Sequence, residues 1–262
     1  MNTMVFSHRI KFIQINIYKG KFLDDLVDFL KKENPDFISM QEVTTNGFNL
    51  FANKNVSLFE LLGKRLQMYG VFNGDLRLKG DKSSVFGNAV FGKYKIVGKK
   101  VVTLKTFRPL AIEELDSGDS GEVREQIHRH LLDAQVIAGG RRVHIMSWHG
   151  AWTAPPQDTS ETLRQAGIVA DYLKNLDSPF ILGCDANNVA ESKTIGTISK
   201  VAINLMVGSG ISQTTHPTKH KIAPRGFLVD YIFTSNHFKL LRLQVPEILV
   251  SDHLPVVAEL EV

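Results

Sequence analysis

A chain of 262 residues, 43% of them hydrophobic, can bury a large core, and no linker-like stretch or fixed-period repeat interrupts it. One compact domain over residues 9–262 behind a short extension at 1–8 is therefore expected, and a solenoid or propeller is excluded. The lone cysteine, Cys184, excludes an intrachain disulfide; no apolar run reaches the roughly 18 residues of a membrane span, and the first residues lack the apolar stretch of a secretory signal, so a cytoplasmic monomer without a membrane span is expected. Lysine and arginine total 31 against 27 acids, a net charge of +4, which is compatible with a polyanionic partner without pointing to one.

In chain order, residues 9–16 alternate and predict a strand. Phe22, Leu23, Leu26, Phe29 and Leu30 recur at helical spacing, acidic residues early and lysines late, and Asn34-Pro35 ends the helix. A strand is expected over 37–41, a helix over 58–66, and strands over 85–91 and 96–104 with a turn near Lys93-Tyr94. The acidic stretch 116–122 reads as a solvated loop. Strands at 131–137 and 143–147 turn at Gly139-Gly140. Asp158 or Thr159 caps a helix that runs to about 176, with Glu161 in its first turn. A short strand at 180–183 and a helix at 191–200 follow. The Thr, His, Lys and Pro content of 214–226 reads as a loop, and strands are expected at 228–233, 238–243 and 256–260. Strands outnumber helices and occur in both hairpin and βα arrangements, which implies an α/β sandwich with mixed sheets.

One pattern recurs along the chain. Strand after strand ends in a polar residue that a core does not need: Asn16, Gln41-Glu42, Trp148-His149-Gly150, Cys184-Asp185-Ala186-Asn187, Asp230, and Ser251-Asp252-His253 just before the last strand. Loops at strand ends on a rigid sheet are where sites are built. The set is rich in carboxylates, which with water suit a hard dication such as Mg²⁺. A histidine beside such an ion serves acid–base chemistry near neutral pH. Asn16 and Asn187 suit a phosphate oxygen or an attacking water. Taken singly, most of these have plainer readings: Glu42 as an edge charge, 185–188 as an ordinary turn. Asp230 does not, because a carboxylate between Val229 and Tyr231 requires a partner. Trp152 suits base stacking or the anchoring of a loop, Cys184 reads as a small buried hydrophobe, and Lys219, His220, Lys221 and Arg225 form either a phosphate-tracking loop or a solvated one.

Gln41-Glu42, Gly183-Cys-Asp-Ala-Asn187 and Ser251-Asp252-His253, in that order, resemble the signatures of the endonuclease/exonuclease/phosphatase superfamily, with the likeness running from Arg9 to the end of the chain. The resemblance implies a four-layer α/β sandwich of two packed, mostly antiparallel mixed sheets flanked by helices. It implies a hydrolase that cleaves phosphoesters by in-line attack of water, with Mg²⁺ (or Mn²⁺) as cofactor. Carried over, Glu42 is the principal metal ligand, Asp252 a second acid near the ion, and Asn16 a support for metal or phosphate. Asp185 activates water, Asn187 contacts the phosphate, His253 stabilises developing charge with Asp230 orienting it, and His149 is a second phosphate-facing histidine. Arg129 is expected to be structural, while Asn88, Trp152 and Arg225 are expected on the substrate side. The pattern departs from the family at Cys184 and Ala186, and at Tyr18, where some members carry an extra acid. Nucleic acid is the first expected substrate; the alternatives are a small-molecule or lipid-headgroup phosphoester, or a silent binding module of the same fold.

Overall fold

The computed structural model describes residues 9–45, 56–79, 81–106, 108–111, 114, 127–138, 140–220 and 226–262. The acidic stretch 116–122, Lys221 and Arg225 lie outside them. Twelve strands form two six-stranded sheets. The first sheet holds β1 (Arg9–Asn16), β2 (Phe37–Thr44), β3 (Tyr69–Leu78), β4 (Asp81–Gly92), β11 (Lys239–Gln244) and β12 (Val256–Glu261), in the order β11-β12-β1-β2-β4-β3. The second holds β5 (Ile96–Lys105), β6 (Arg129–Ala138), β7 (Arg141–His149), β8 (Phe180–Asp185), β9 (Ile203–Asn204) and β10 (Asp230–Thr234), in the order β5-β6-β7-β8-β10-β9. Helices α1 (Leu23–Glu33) and α2 (Leu58–Leu66) cover the first sheet through Leu26, Leu30, Leu58 and Leu62 packed on Ile13, Ile15, Ile38 and Met40. Helices α3 (Ser160–Lys174) and α4 (Lys193–Ser199) cover the second through Ala166, Val169, Ile195 and Ile198. The result is the expected four-layer sandwich. No helix among the described residues is long and apolar enough to cross a membrane.

Each sheet contains one parallel pair joined through a helix: β1–α1–β2 and β7–α3–β8. Parallel strands end together, so Asn16 and Gln41 finish side by side, as do His149 and Asp185. The antiparallel neighbours of these strands begin where they end. β10 opens with Asp230 opposite Asp185, and the residues leading into β12 fall beside the end of β1. Topology thus delivers six distant chain segments to one edge of the sandwich.

Side-chain alternation then grades the space between the sheets. On β1 the inward series runs Ile10, Phe12, Gln14, Asn16, and on β2 it runs Phe37, Ser39, Gln41. The layer is apolar at one end and polar at the other, and the polar part is hydrogen-bonded across the gap. Gln14 Nε2 donates to Gln41 Oε1 (2.5 Å), Gln41 Nε2 to Gln14 Oε1 (3.0 Å) and Ser147 Oγ (3.0 Å), and Ser147 Oγ to the Met40 carbonyl (3.1 Å). Buried amides in such numbers are tolerated only when paired.

The structure differs from the sequence reading at several elements, among them β9, which is not anticipated. β2 continues to Thr44 through a bulge between Met40 and Val43. β3 is not anticipated at all, since Asn73-Gly74-Asp75 in its middle reads as a turn; pairing with β4 overrides that local preference. The turn near Lys93-Tyr94 carries the chain from one sheet to the other and does not close a hairpin. From the two caps expected for α3 the structure selects Thr159, in a reciprocal box with Thr162. Asp158 instead accepts from the Lys193 and Thr194 amides (2.8 and 3.0 Å) at the start of α4.

The sheets approach closely at Gly183, where a Cβ would lie 2.6 Å from both Ser39 Cβ and Gln14 Oε1. Ser39 Oγ donates to the Gly183 carbonyl there (3.1 Å). Gly183→Ala is therefore expected to lower unfolding free energy by about 1–3 kcal/mol, the usual cost of overpacking. Gly167→Ala, in α3 with nothing within 4 Å of the added carbon, is expected to raise it by about 0.5–1 kcal/mol through helix propensity. Urea titration of the two variants checks both signs.

Candidate active site

Asp185 ends β8 fully buried, and four groups converge on it. Asn16 Nδ2 donates to Oδ2 (3.0 Å) and the Asn187 amide to Oδ1 (3.1 Å). His149 Nε2 lies 3.5 Å and His253 Nε2 3.7 Å from Oδ2. His253 Nδ1 hydrogen-bonds Asp230 Oδ2 at 2.8 Å, and Asp230 Oδ1 accepts from Gln14 Nε2 (3.3 Å), so the orienting carboxylate is itself tied into the inter-sheet layer. Ser251 fastens the segment that carries Asp252 and His253. Its hydroxyl donates to the Asn16 carbonyl (2.6 Å), contacts Asp252 Oδ1 (3.2 Å), and accepts from the His253 amide (3.2 Å).

Glu42 reaches the same edge by a different route. Gln41 faces inward, so strict alternation would turn Glu42 out toward the helices. The bulge, with Glu42 in the left-handed region at φ 59°, redirects it. Such a conformation in a non-glycine residue costs on the order of 1–3 kcal/mol and persists where surrounding structure imposes it. Lys19, itself at φ 53°, places its ammonium 3.0 Å from Glu42 Oε2. Asn187 is also left-handed, at φ 51°, and its side-chain amide donates to the Gly150 carbonyl (3.3 Å).

The electrostatics follow from crowding acids and imidazoles in a buried space. Burial raises the Asp185 carboxyl to about 7, the neighbouring Asp230 adding to this and His253 opposing it. Burial and the charge of Glu42 lift Asp252 to about 6 against the pull of His253 and Lys19. Burial would raise Glu42 too, but the charge and hydrogen bond of Lys19, with His253 and Asn16, hold it below the ordinary carboxylate range. Burial would depress His253; Asp230, Asp185 and Asp252 overcome it and push the imidazole well above its usual value. Burial, then the charges of Arg129, His253 and Lys19, push His149 well below, so it stands neutral beside Asp185.

The residues expected at the site from sequence are thus largely brought together: Asn16, Glu42, His149, Asp185, Asn187, Asp230, Asp252 and His253 share one end of the inter-sheet space. Asn88 is buried and turned to the His130 carbonyl (3.1 Å), a place beside the site but not open to solvent. Trp152 is half-buried in the segment after β7. Arg225 lies outside the described residues. Arg129 is buried, with Nε donating to the Gly150 carbonyl (3.0 Å), the structural part expected of it. The two departures at 184 and 186 have packing reasons. Cys184 points into the core, where burial raises its thiol far above the usual range. Ala186 is buried in the same core, and a Cβ on Gly150 would lie 2.5 Å from its backbone carbonyl, a close approach that requires glycine at 150. Lys19, Gln14, Ser147 and His220 were not anticipated as parts of the site. Gln14 sits within an otherwise apolar alternation, a polar intrusion that signals the layer. His220, expected only as part of a basic loop, meets the His253 ring edge-on at 5.3 Å.

The donor set fits a hard dication. Glu42 and Asp252 supply carboxylate oxygens whose charges act on each other, so a cation between them is electrostatically favoured, with the Lys19 ammonium as its competitor for Glu42. Two tighter groupings, His220–Asp252–His253 and Asp185–Asp230–His253, have ligand atoms within 4.8 Å of one another. The second is committed to the His253–Asp230 hydrogen bond, which leaves Asp252 as the acid shared between the first grouping and Glu42.

Folding raises the Asp185 carboxyl from an ordinary 3.8 to about 7, so the folded form holds its proton more tightly. Ionisation therefore removes stability as pH climbs from about 4 to 7, and the loss is complete above that range. Asp185→Asn escapes this loss. With a chelator present, its melting temperature relative to wild type is expected to rise between pH 4 and 7 and then level off; a difference that is flat or falls with pH contradicts the assignment.

The Endonuclease/Exonuclease/phosphatase family model matches residues 13–253. No curated protein matches the chain in sequence. Among solved structures, the endonuclease/exonuclease/phosphatase from Bacteroides vulgatus superposes with a TM-score of 0.73 at 17% identity, over 97% of this chain and 99% of that one. Mannosyl-6-phosphatase from Bacteroides thetaiotaomicron superposes at 0.70 and 15% identity, over 97% of this chain and 100% of that one. D. rerio TDP2 complexed with single strand DNA product superposes at 0.69 and 17% identity, over 98% of this chain and 100% of that one. With a family model covering 13–253 and a matching sandwich, the chain belongs to the Endonuclease/Exonuclease/phosphatase family.

Proposed function

We propose that the chain is a divalent-metal-dependent phosphodiesterase that hydrolyses nucleic acid by in-line attack of water. The observation that carries this reading is the position of Asp185, a buried carboxylate flanked at 3.5 and 3.7 Å by two imidazoles and braced by Asn16 and Asn187. A carboxylate so held can orient a water and take its proton. His253, aligned by Asp230, and the neutral His149 offer preorganised donors to the oxygens on which charge builds. Asn187 contacts the phosphate. Mg²⁺ or Mn²⁺ would be held by Glu42 and Asp252 and, when bound, supplies Lewis-acid polarisation of the phosphoryl oxygen. Asn16 acts as a brace: its Oδ1 accepts from the Tyr18 amide (3.1 Å) while its Nδ2 holds Asp185.

Nucleic acid is supported by the fold shared with TDP2 complexed with single strand DNA product, and the net charge of +4 is compatible with it. The same fold in a mannosyl-6-phosphatase supports a second reading, a small-molecule or lipid-headgroup phosphoester. A panel of duplex DNA, single-stranded DNA, RNA, simple phosphodiesters and simple phosphomonoesters with Mg²⁺ and with Mn²⁺ decides between them. A substrate-dependent fall of affinity with salt is expected on polynucleotides; turnover confined to monoesters refutes the phosphodiesterase reading.

Two further outcomes are expected. Activity vanishes with a chelator, and Glu42→Ala weakens the response to added metal more than any other single change; full activity in excess chelator overturns the metal's part. His253→Ala lowers kcat about a hundredfold, the scale of a lost preorganised donor, with a much smaller effect on KM. Asp230→Asn mimics it in part, and the double variant is no worse than the His253 variant, because the pair acts as one unit. Multiplicative defects would show independent action.

A further inference from the structure

A second cluster of titratable groups lies outside this machinery. Asp75 on β3 is 3% exposed, and its Oδ1 accepts from His130 Nδ1 at 2.8 Å. His130 Nε2 in turn meets His128 Nε2 at 2.8 Å, with the two rings stacked at 4.2 Å. The chain carboxylate–imidazole–imidazole runs outward from the core, and its last member, His128, is half-buried. It opens on a cleft of about 340 Å³ lined, among the described residues, by Asn73, Asp75, Arg77, Arg108, His128 and His130 together with Gly74 and Pro109.

The charge of this lining selects the ligand. Two arginines face one acid, and that acid is engaged: one oxygen holds His130 and the other lies 3.8 Å from Arg129 Nη1. A dication is repelled by such a wall. An oxyanion finds in Arg108 a fork that already grips a carboxylate, that of Glu114, on both nitrogens. The arginine of this pair is half-exposed, and Glu114 keeps its bond from the Ala111 amide (2.7 Å) when it is turned away, so another oxyanion can compete for the Arg108 fork. Arg77 adds a second cation, and the His128 ring lines the cleft beside them.

The cleft also adjoins the phosphate-facing side of the active site. Arg129 Nε and Asn187 Nδ2 both donate to the Gly150 carbonyl, at 3.0 and 3.3 Å. Asn88, paired with Asn73 in the β3–β4 ladder, donates to the His130 carbonyl. One arginine side chain thus separates Asp75 from the carbonyl that fixes Asn187. We propose that the cleft is an oxyanion subsite that receives a second phosphate group of the substrate, gripped by Arg77 and Arg108 beside the His128 ring. The assignment to the substrate rests on the phosphodiesterase reading above; the binding of an oxyanion does not.

The test separates the two. In metal-free protein, inorganic phosphate is titrated while the ring C–H signals of His128 and His130 are followed by NMR, assigned with His128→Gln. A saturable shift of the His128 signal is expected. Its dissociation constant should rise about fivefold or more in Arg77→Gln and in Arg108→Gln, as for the loss of a charge-assisted contact. An unmoved His128 signal, or curves in both arginine variants unchanged from wild type, overturns the subsite whatever the catalytic residues do, since neither metal nor turnover is involved. In the second arm, KM is compared for a trinucleotide and for bis(4-nitrophenyl) phosphate, which carries a single phosphate. Arg77→Gln is expected to raise the first about fivefold more than the second, with kcat little changed. Equal effects on both substrates overturn the assignment to a second substrate phosphate.

Discussion

At Gly183 the two sheets touch with no room for a side chain, and the polar layer above that point depends on the contact. With Ser39 and Gln14 pressed against a bare Cα, the amides of Gln14 and Gln41 sit close enough to bond each other and to bridge to Ser147 and Asp230. Spacing the sheets farther apart would leave buried amides and a buried carboxylate without partners, a penalty larger than that of a lost apolar contact. Asp230 is held from below by this layer and holds His253 from above. The orientation of the imidazole at the cleft is thus set by how nearly the backbones of β2 and β8 approach.

A second constraint is electrostatic. Asp185, Asp230, Asp252 and Glu42 lie at one edge of the sandwich, and burial raises the cost of their charges. The structure answers each differently: Asp230 with an imidazole, Glu42 with an ammonium, Asp185 with amide donors, Asp252 with a hydroxyl and proximity to His253. Asp185 and Asp252 are therefore raised while Glu42, beside Lys19, is held low, so carboxylates in one cleft take distinct proton affinities.

Much of this was legible in the sequence, and what was not has identifiable causes. The strands that end in Asn16, His149 and Asp185 announce themselves because period-two alternation stops at a polar residue. The order Glu42, Asp185, Asp252-His253 then suggests a family before any coordinates. β3 was missed because Asn73-Gly74-Asp75 carries turn chemistry and is held extended only by β4. The route by which Glu42 enters the site was hidden as well, since a bulge is a property of two strands and Met40 to Val43 alone does not show it. Lys19 and His220 come from segments without periodicity, and nothing local marks their direction. The Asp75–His130–His128 chain joins residues more than fifty positions apart across two sheets, a juxtaposition that no spacing rule reports.

The pairing of β1 with β12 has a consequence for how the molecule comes into being. Arg9 lies opposite Glu261, so the first described strand waits for the last before its open edge is filled. A ribosome releases Asp252 and His253 after every other residue of the site, and until then Asp230 and Asp185 face each other with no imidazole between them. A chain that stops short of Asp252 therefore lacks the assembled centre, whatever else it has folded. A topology dominated by such distant partnerships also folds slowly, so the interval between emergence and competence is built into the order of the strands.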